Sequence, residues 1–161
     1  MPLPILFCAP LAIYTTAAVP PLGFDAMRFF SGATAGSGQI KVLLQGSEDV
    51  RVHGRGYVAP DGTLVLDQQV ALGKHPPTQR VWQLREIAPG RYRGTLSDAR
   101  GPVTGESIGS YLHLSYRAKR GVRINQWLIL AEDGRSAQNT LVAKMMGVEV
   151  ARLQETIRKM D

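Results

Sequence analysis

The sequence predicts an all-β fold, built as an antiparallel sandwich or barrel. Apolar and polar residues alternate with a period of two through most of the chain after residue 38. Turn-forming proline, glycine and aspartate separate these segments at intervals of roughly 8–12 residues, which is typical of small β-domains. No segment with the period of a helix occurs before the C-terminal tail.

The predicted strands follow one another in a simple order. We interpret the glycine-rich stretch 31–38 as a loop before the first strand, because it lacks the lysine and the following helix of a phosphate-binding loop. Valine and glycine share one face of segment 49–58, and the turn at 59–62 has proline and glycine where a turn needs them. Further strands are predicted at 63–70, 79–86, 91–97, 110–116, 122–130 and 135–142.

The C-terminal tail fits two structures. Four of its apolar residues fit one stripe of a helix, namely Val150, Leu153, Ile157 and Met160. The spacing of Val148 and Val150 instead fits a strand. We expect a strand that closes the barrel, and a short C-terminal helix could follow it.

The composition is that of one globular domain that can bury a core. The chain has 161 residues, of which 44% are hydrophobic, and a formal net charge of +6. This charge favours anionic partners, including an anionic membrane surface, but no nucleic-acid-binding signature accompanies it and we predict no such partner. Cys8 is the single cysteine, so an intramolecular disulfide is excluded, and His53, His75 and His113 lack ligand-like spacing. We therefore predict neither a metal site nor a cofactor.

The N-terminal segment differs from the rest of the chain. Residues 1–24 contain no charged residue and no histidine, and an apolar run is followed by small residues. This layout predicts a signal peptide at 1–18, or else an apolar arm, before a single β-barrel domain at 19–161. Pro4 and Pro10 interrupt the run, which is too short for a comfortable membrane-spanning helix. Export would make the protein periplasmic or envelope-associated; without a signal it would be cytoplasmic.

The pentapeptide GESIG at 105–109 fits the pattern of a serine-hydrolase nucleophile elbow. Such an elbow needs a strand before the serine and a helix after it, whereas a strand pattern follows Ser107. The only later histidine is His113, and no acidic residue lies between them in the order that a triad requires. We therefore predict no catalytic serine, and a bend between two strands shaped by Gly105 and Gly109.

Short sequence words occur in a fixed order along the chain. They are FFSG at 29–32, GTLVLD at 62–67, RVW at 80–82, RYRG at 91–94, WLIL at 127–130 and KMMGV at 144–148, with Asp98 and Asn139 between them. This order resembles a bacterial, mostly proteobacterial family of small envelope proteins, often lipoproteins, known only as a domain of unknown function. The resemblance implies an antiparallel lipocalin- or calycin-like barrel of about 8–10 strands. The family usually has two acidic residues before the tryptophan, where this chain has Asn125 and Gln126.

A small barrel of this type can be filled by side chains or can hold one small ligand. Aromatic residues on the strands and polar residues within the words are the candidates for a ligand site. They are Arg80, Trp82, Tyr92, Asp98, Tyr116, Trp127 and Asn139. The same residues could instead form core and a structural hydrogen-bond network.

The sequence supports three functions. The leading hypothesis is a non-enzymatic periplasmic protein that binds a small hydrophobic or amphiphilic ligand, such as an anionic lipid-like molecule. The second is a barrel enzyme, of isomerase or cyclase type, with Asp98, Glu106 or His113 as its titratable group. The third is a structural envelope protein whose barrel is filled.

Overall fold

The protein is a closed barrel of ten antiparallel strands in which every strand pairs with its neighbours in sequence and the last strand pairs with the first. The computed structural model describes residues 23–161. The strands are β1 (Gly32–Val42), β2 (Gly46–Val58), β3 (Thr63–Leu72), β4 (Thr78–Ala88), β5 (Arg91–Leu96), β6 (Val103–Ile108), β7 (Tyr111–Arg117), β8 (Arg123–Leu130), β9 (Ser136–Met145) and β10 (Val148–Lys159). The prediction of an all-β antiparallel barrel is confirmed.

A short helix, α1 (Ala26–Phe30), lies across one end of the barrel. The Asp25 carboxylate begins the helix by accepting a hydrogen bond from the Arg28 backbone N–H at 3.1 Å. Phe29 and Phe30 are buried, together with Phe24 and Ala26. The helix therefore closes this end, which we call the closed end. No helix in the described part of the chain is long and apolar enough to cross a bilayer.

Gly56 allows the helix to sit directly on the barrel wall. A Cβ atom at this position would collide with the Phe30 backbone carbonyl oxygen. Gly56 lies on the inner face of β2, where a side chain would point into the barrel. Here the space it leaves is occupied by helix backbone.

The two halves of the barrel are packed differently. The largest fully buried side chains, Leu64, Leu84, Val103, Leu112 and Leu128, fill the half under α1. At the opposite end, which we call the open end, the chain passes from each odd-numbered strand to the next even-numbered strand. The interior of that half is hollow, so the barrel is neither wholly filled nor wholly empty.

Two local expectations from the sequence are wrong. Residues 32–42 form β1 rather than a loop, because Gly36 and Gly38 lie where a Cβ would collide with Glu155 and Gln154 of β10. Residues 103–108 form β6, and the chain turns only at Gly109, with φ of 55°. The strand expected in the tail is confirmed: β10 closes the barrel and extends to Lys159, and no helix follows it up to residue 161. The predicted signal peptide at 1–18 lies outside the described residues.

Candidate ligand-binding cavity

The hollow half of the barrel contains a cavity of about 240 Å³. Most of its wall is aliphatic, with Ile40, Val50, Val52, Val70, Leu72, Leu141, Ala143 and Leu153 among the lining residues. These side chains face inward because period-two alternation places every second residue of each strand inside. The cavity volume lies just below the roughly 300–1,000 Å³ that is typical of small-molecule pockets. It suits a small molecule or one part of a longer one.

Three aromatic side chains line the cavity, namely Phe30 from α1, Trp82 from β4 and Tyr116 from β7. The rings of Trp82 and Tyr116 meet edge to face, with centroids 5.5 Å apart and planes at 89°. The Trp82 indole N–H donates to Gln68 Oε1 at 2.8 Å, so its polar atom is satisfied within the wall. Burial, and to a lesser extent the Asp98 carboxylate, raises the pKa of Tyr116 to about 12 against the opposing charge of Arg80. The Tyr116 phenol is therefore neutral at physiological pH.

An ion pair lies at the edge of the cavity. Arg80 Nε and Asp98 Oδ2 are 3.1 Å apart, and both side chains are partly exposed. Asp98 Oδ1 is nevertheless buried and has no hydrogen-bond partner among the described residues. The pair thus offsets the charge of Arg80 and leaves one carboxylate oxygen of Asp98 buried and without a partner in the described chain.

Glu155 and Asn139 form a buried polar pair on neighbouring strands. They are register partners on β10 and β9, with only 6% and 2% of their surfaces exposed. Asn139 Nδ2 donates to Glu155 Oε2 at 2.9 Å, while Glu155 Oε1 and Asn139 Oδ1 have no partner in the described chain. Burial raises the pKa of Glu155, against the opposing effects of the Asn139 hydrogen bond and the Arg80 charge.

Buried polar atoms are almost always hydrogen-bonded in folded proteins. Asp98 Oδ1, Asn139 Oδ1 and Glu155 Oε1 are exceptions, and all three residues line the same cavity. Their coincidence with an apolar pocket is the arrangement expected of a ligand site, in which few polar groups orient a largely apolar molecule.

Five of the predicted site residues line the cavity, and two do not. Those in the lining are Arg80, Trp82, Asp98, Tyr116 and Asn139. Tyr92 faces inward but lies in the filled half, where its hydroxyl oxygen accepts a hydrogen bond from the Ala26 backbone N–H at 3.4 Å. Trp127 points outward because its neighbours Gln126 and Leu128 occupy the inner face of β8.

Glu155 is the main site residue that sequence reasoning missed. The signal was present, because Leu153, Glu155 and Ile157 share one face if the tail is read as a strand. A helical reading separates the carboxylate from this face. Gln68 and Gln126, which also line the cavity, carry no comparable signal because they resemble ordinary surface residues in the sequence.

The remaining titratable candidates lie outside the cavity. His113 stacks on Trp127 with ring centroids 5.2 Å apart, and its Nε2 is 3.0 Å from Asn125 Oδ1. Glu106 is its exposed register partner on β6, and neither residue is in the cavity lining. Ser107 Oγ donates to the Phe24 carbonyl oxygen near the closed end. Within residues 23–161, no three His, Cys, Asp or Glu side chains are grouped so that they could hold a metal ion.

Solved structures with the same architecture have very different sequences. The S-type phycobiliprotein lyase CPES from Guillardia theta matches with a TM-score of 0.68 at 8% identity, over 84% of this chain and 90% of that chain. A protein of unknown function from the DUF3598 family of Nostoc punctiforme matches with a TM-score of 0.65 at 12% identity, over 90% of this chain and 53% of that chain. Both are lipocalin-like barrels, which confirms the predicted fold class.

Sequence comparison gives the family. No curated protein sequence matches the chain. The family described as "Protein of unknown function (DUF3833)" matches residues 7–159, which is nearly the whole chain and agrees with the expectation of a family of unknown function. The chain therefore belongs to the DUF3833 family.

Proposed function

We propose that this protein binds one small amphiphilic molecule inside the open half of its barrel. The observation that carries the proposal is the apolar cavity of about 240 Å³, whose lining includes three residues that each hold a buried oxygen atom without a partner in the described chain. Burial of the apolar part of a ligand against aliphatic side chains supplies affinity. The polar atoms of Asn139, Glu155 and Asp98 fix its orientation. A wholly filled structural barrel would have no such cavity.

The chemistry of the polar atoms selects the ligand's polar group. Asn139 Oδ1 and Asp98 Oδ1 are hydrogen-bond acceptors and therefore need donors. An anionic group would meet the carboxyl groups of Asp98 and Glu155, and the neighbouring Arg80 is already paired with Asp98. We therefore propose an uncharged donor, such as a hydroxyl or an amide N–H, in place of the anionic head group that the net charge suggests.

The proposed site of action is the periplasm or envelope. The support is the uncharged, apolar segment 1–18 with small residues at its end, which has the layout of a secretory signal. Fractionation of the native host, with N-terminal sequencing of the recovered protein, tests this. A mature N-terminus near residue 19 in the periplasmic fraction is the expected result.

Mass spectrometry of organic extracts tests the binding function directly. The protein is purified without detergent from its native host, and a stoichiometric hydroxyl- or amide-bearing amphiphile is expected in the extract. Thermal shifts are then measured with fatty alcohols and with fatty acids of equal chain length. The alcohols should stabilise the protein more. An empty extract together with no thermal shift would contradict the proposal.

Two phenylalanine substitutions provide the matched control. Val52→Phe places an aromatic ring in the cavity and should abolish the thermal shift that the ligand produces. Val65→Phe makes the same change on β3 outside the cavity lining and should leave that shift unchanged. A ligand-induced shift that persists in Val52→Phe would place the binding outside the cavity.

Glu155 favours a second candidate function, an isomerase or cyclase acting on an apolar substrate. A buried carboxyl group with a raised pKa inside an apolar cavity is the environment of a general acid or base. The similar barrel from Guillardia theta is named a lyase, which is also an enzyme name. Incubation of the co-purified ligand with the protein in D₂O tests this candidate. An enzyme would convert the ligand or introduce deuterium into it, and Glu155→Gln would abolish that reaction. A protein that only binds the ligand would leave it unchanged.

A further inference from the structure

The open end carries a cluster of exposed apolar side chains on two adjacent hairpin turns. We call Leu43, Leu44, Met145, Met146 and Val148 the mouth patch. Leu44 is 98% exposed and Met146 is 96% exposed, which makes them the most exposed large apolar residues in the described chain. The turns are neighbours because β1 pairs with β10 and the Leu43 backbone N–H donates to the Val150 carbonyl oxygen at 2.9 Å.

The backbone makes this cluster more unusual. Leu44 has φ of 65° and Met146 has φ of 47°, in the left-handed region that glycine and asparagine adopt at least cost. A large apolar side chain at such a position is unfavourable for the turn and for solubility alike. Features of this kind concentrate at functional surfaces, and clustered exposed apolar groups mark sites of protein or membrane contact.

Charge is distributed unequally between the two ends of the barrel. The connections at the open end carry Lys74, Arg100, Lys119 and Arg120, and their single acidic residue, Asp98, is paired with Arg80. The strand connections at the closed end carry Asp61, Glu132 and Asp133 against Arg135. The connections at the open end are therefore basic and include exposed apolar residues of the mouth patch, whereas the connections at the closed end are not basic.

We propose that the open end docks on an anionic lipid bilayer. The mouth patch inserts among the lipids near the head groups, and the basic residues around it contact lipid phosphates. Apolar burial combined with attraction to anionic lipids is the physical basis of reversible interfacial binding. A protein partner would have to present acidic side chains in a fixed arrangement that matches these basic residues. An anionic bilayer can contact basic residues in any arrangement around the mouth patch. This inference goes beyond ligand binding and does not depend on what the cavity holds.

Vesicle co-sedimentation of the full chain tests the docking. The vesicles are phosphatidylcholine alone, or phosphatidylcholine with about a third phosphatidylglycerol to provide the anionic surface. The combined substitution Leu44→Asn and Met146→Asn removes apolar surface while supplying a residue suited to positive φ, so the fold is retained. We expect this variant to bind anionic vesicles about tenfold more weakly. Lys119→Glu with Arg120→Glu should remove the preference for anionic over neutral vesicles.

Exposed isoleucines at the opposite end supply the control. Ile87 and Ile108 are 59% and 69% exposed and lie on strands near the closed-end turns. Ile87→Thr with Ile108→Thr should leave vesicle binding unchanged. Residues 1–22 are apolar and present in every variant, so their contribution cancels in the comparison. Equal binding by wild type and by the Leu44→Asn and Met146→Asn variant would overturn the proposal.

A depth measurement gives a second, independent answer. Cys8→Ser provides a cysteine-free chain, in which either Met146→Cys or Ile108→Cys is labelled with an environment-sensitive fluorophore. Nitroxide-bearing lipids should quench the label at position 146 and not the label at position 108. Quenching at 108 without quenching at 146 would show that the closed end faces the bilayer, and quenching at neither position would exclude insertion at both. Either result overturns the proposal.

Discussion

Glu155 can lie inside the barrel because Gly36, which is close to it on β1, has no side chain. A Cβ at Gly36 would collide with Glu155 Oε1, so the glycine provides the space that the carboxyl group occupies. The Asn139 hydrogen bond compensates only part of the cost of removing this group from water. Such a residue reduces the stability of the fold at neutral pH, and its retention is better explained by a role in the cavity than by packing.

The raised pKa of Glu155 predicts how stability depends on pH. A carboxyl group with a higher pKa in the folded state binds its proton more tightly there than in the unfolded chain. Its contribution is therefore most favourable below the unfolded pKa, about 4.3 for glutamate, and is lost as pH rises through the folded pKa. Glu155→Gln, which keeps an acceptor for Asn139, should be more stable than wild type at pH 7, with the difference vanishing toward pH 4.

Thermal unfolding of both proteins between pH 3 and pH 8 measures this effect. Glu106→Gln is the matched control, since Glu106 lies on β6 outside the cavity. It should leave the shape of the stability curve unchanged. An unaltered difference between Glu155→Gln and wild type across the whole pH range would mean that Glu155 does not titrate as its burial predicts.

At the scale of elements, α1 depends on contacts with the barrel wall rather than on its own helical propensity. Five residues are too few for a stable isolated helix, and the N-cap bond from Asp25 adds only a local contribution. Two of the barrel contacts that hold it are the close approach of Phe30 to Gly56 and the side chain of Lys159 at the end of β10. Each can be tested by one substitution.

Gly56→Ala should destabilise the protein by about 1–3 kcal/mol, the usual cost of overpacking a tight contact. The added methyl group meets a backbone carbonyl, so the helix itself must move. Gly54→Ala on the same face meets the Thr34 side chain, which can adjust, and should cost less. Denaturant unfolding of the two variants measures the difference. A larger loss for Gly54→Ala would contradict this account of the helix contact.

Lys159→Met should also loosen the closed end. The Lys159 ammonium group donates to the backbone carbonyl oxygens of Phe29 and Ser31, which the end of the helix leaves without partners. Loss of hydrogen bonds from a charged donor costs about 1.5–3 kcal/mol. Lys144→Met, at an exposed position on β9, should change the free energy of unfolding by less than about 0.5 kcal/mol. Similar effects of the two changes would exclude a specific role for Lys159.

The elements that could be predicted from sequence are those whose pattern is local. Strands with alternating residues between proline and glycine turns, such as β2 and β3, follow from the pleat alone. β1 could not, because its glycines are required by Glu155 and Gln154, which lie more than a hundred residues away in sequence. The same holds for the site: the Arg80, Trp82 and Asn139 positions were found, whereas Glu155 was not, because its place in the cavity depends on the pairing of β10 with β1 and β9.

At the scale of the whole molecule, closure between β1 and β10 leaves no edge strand in the barrel. Closure also fixes an inward and an outward face around the full circumference. One half of the interior is filled beneath α1, while the other is left hollow toward the open end. The difference between the halves separates two roles that share one sheet, stability at the closed end and binding at the open end.

This division predicts opposite responses to the same substitution at two positions on one strand. Ala137 and Ala143 both face inward on β9, but Ala137 lies in the filled half and Ala143 lines the cavity. Ala137→Leu should overpack its surroundings and destabilise the protein by about 1–3 kcal/mol. Ala143→Leu should be neutral or stabilising by up to about 1 kcal/mol, because its extra methylene groups enter existing space.

Denaturant unfolding and a ligand-binding assay on both variants separate the two roles. Ala143→Leu should combine unchanged or increased stability with loss of ligand binding, since the side chain occupies the cavity. Ala137→Leu should show the reverse, a lower free energy of unfolding with the binding affinity retained wherever the protein is folded. Destabilisation by both substitutions would mean that the open half is packed as tightly as the closed half, and that the barrel has no interior space for a ligand.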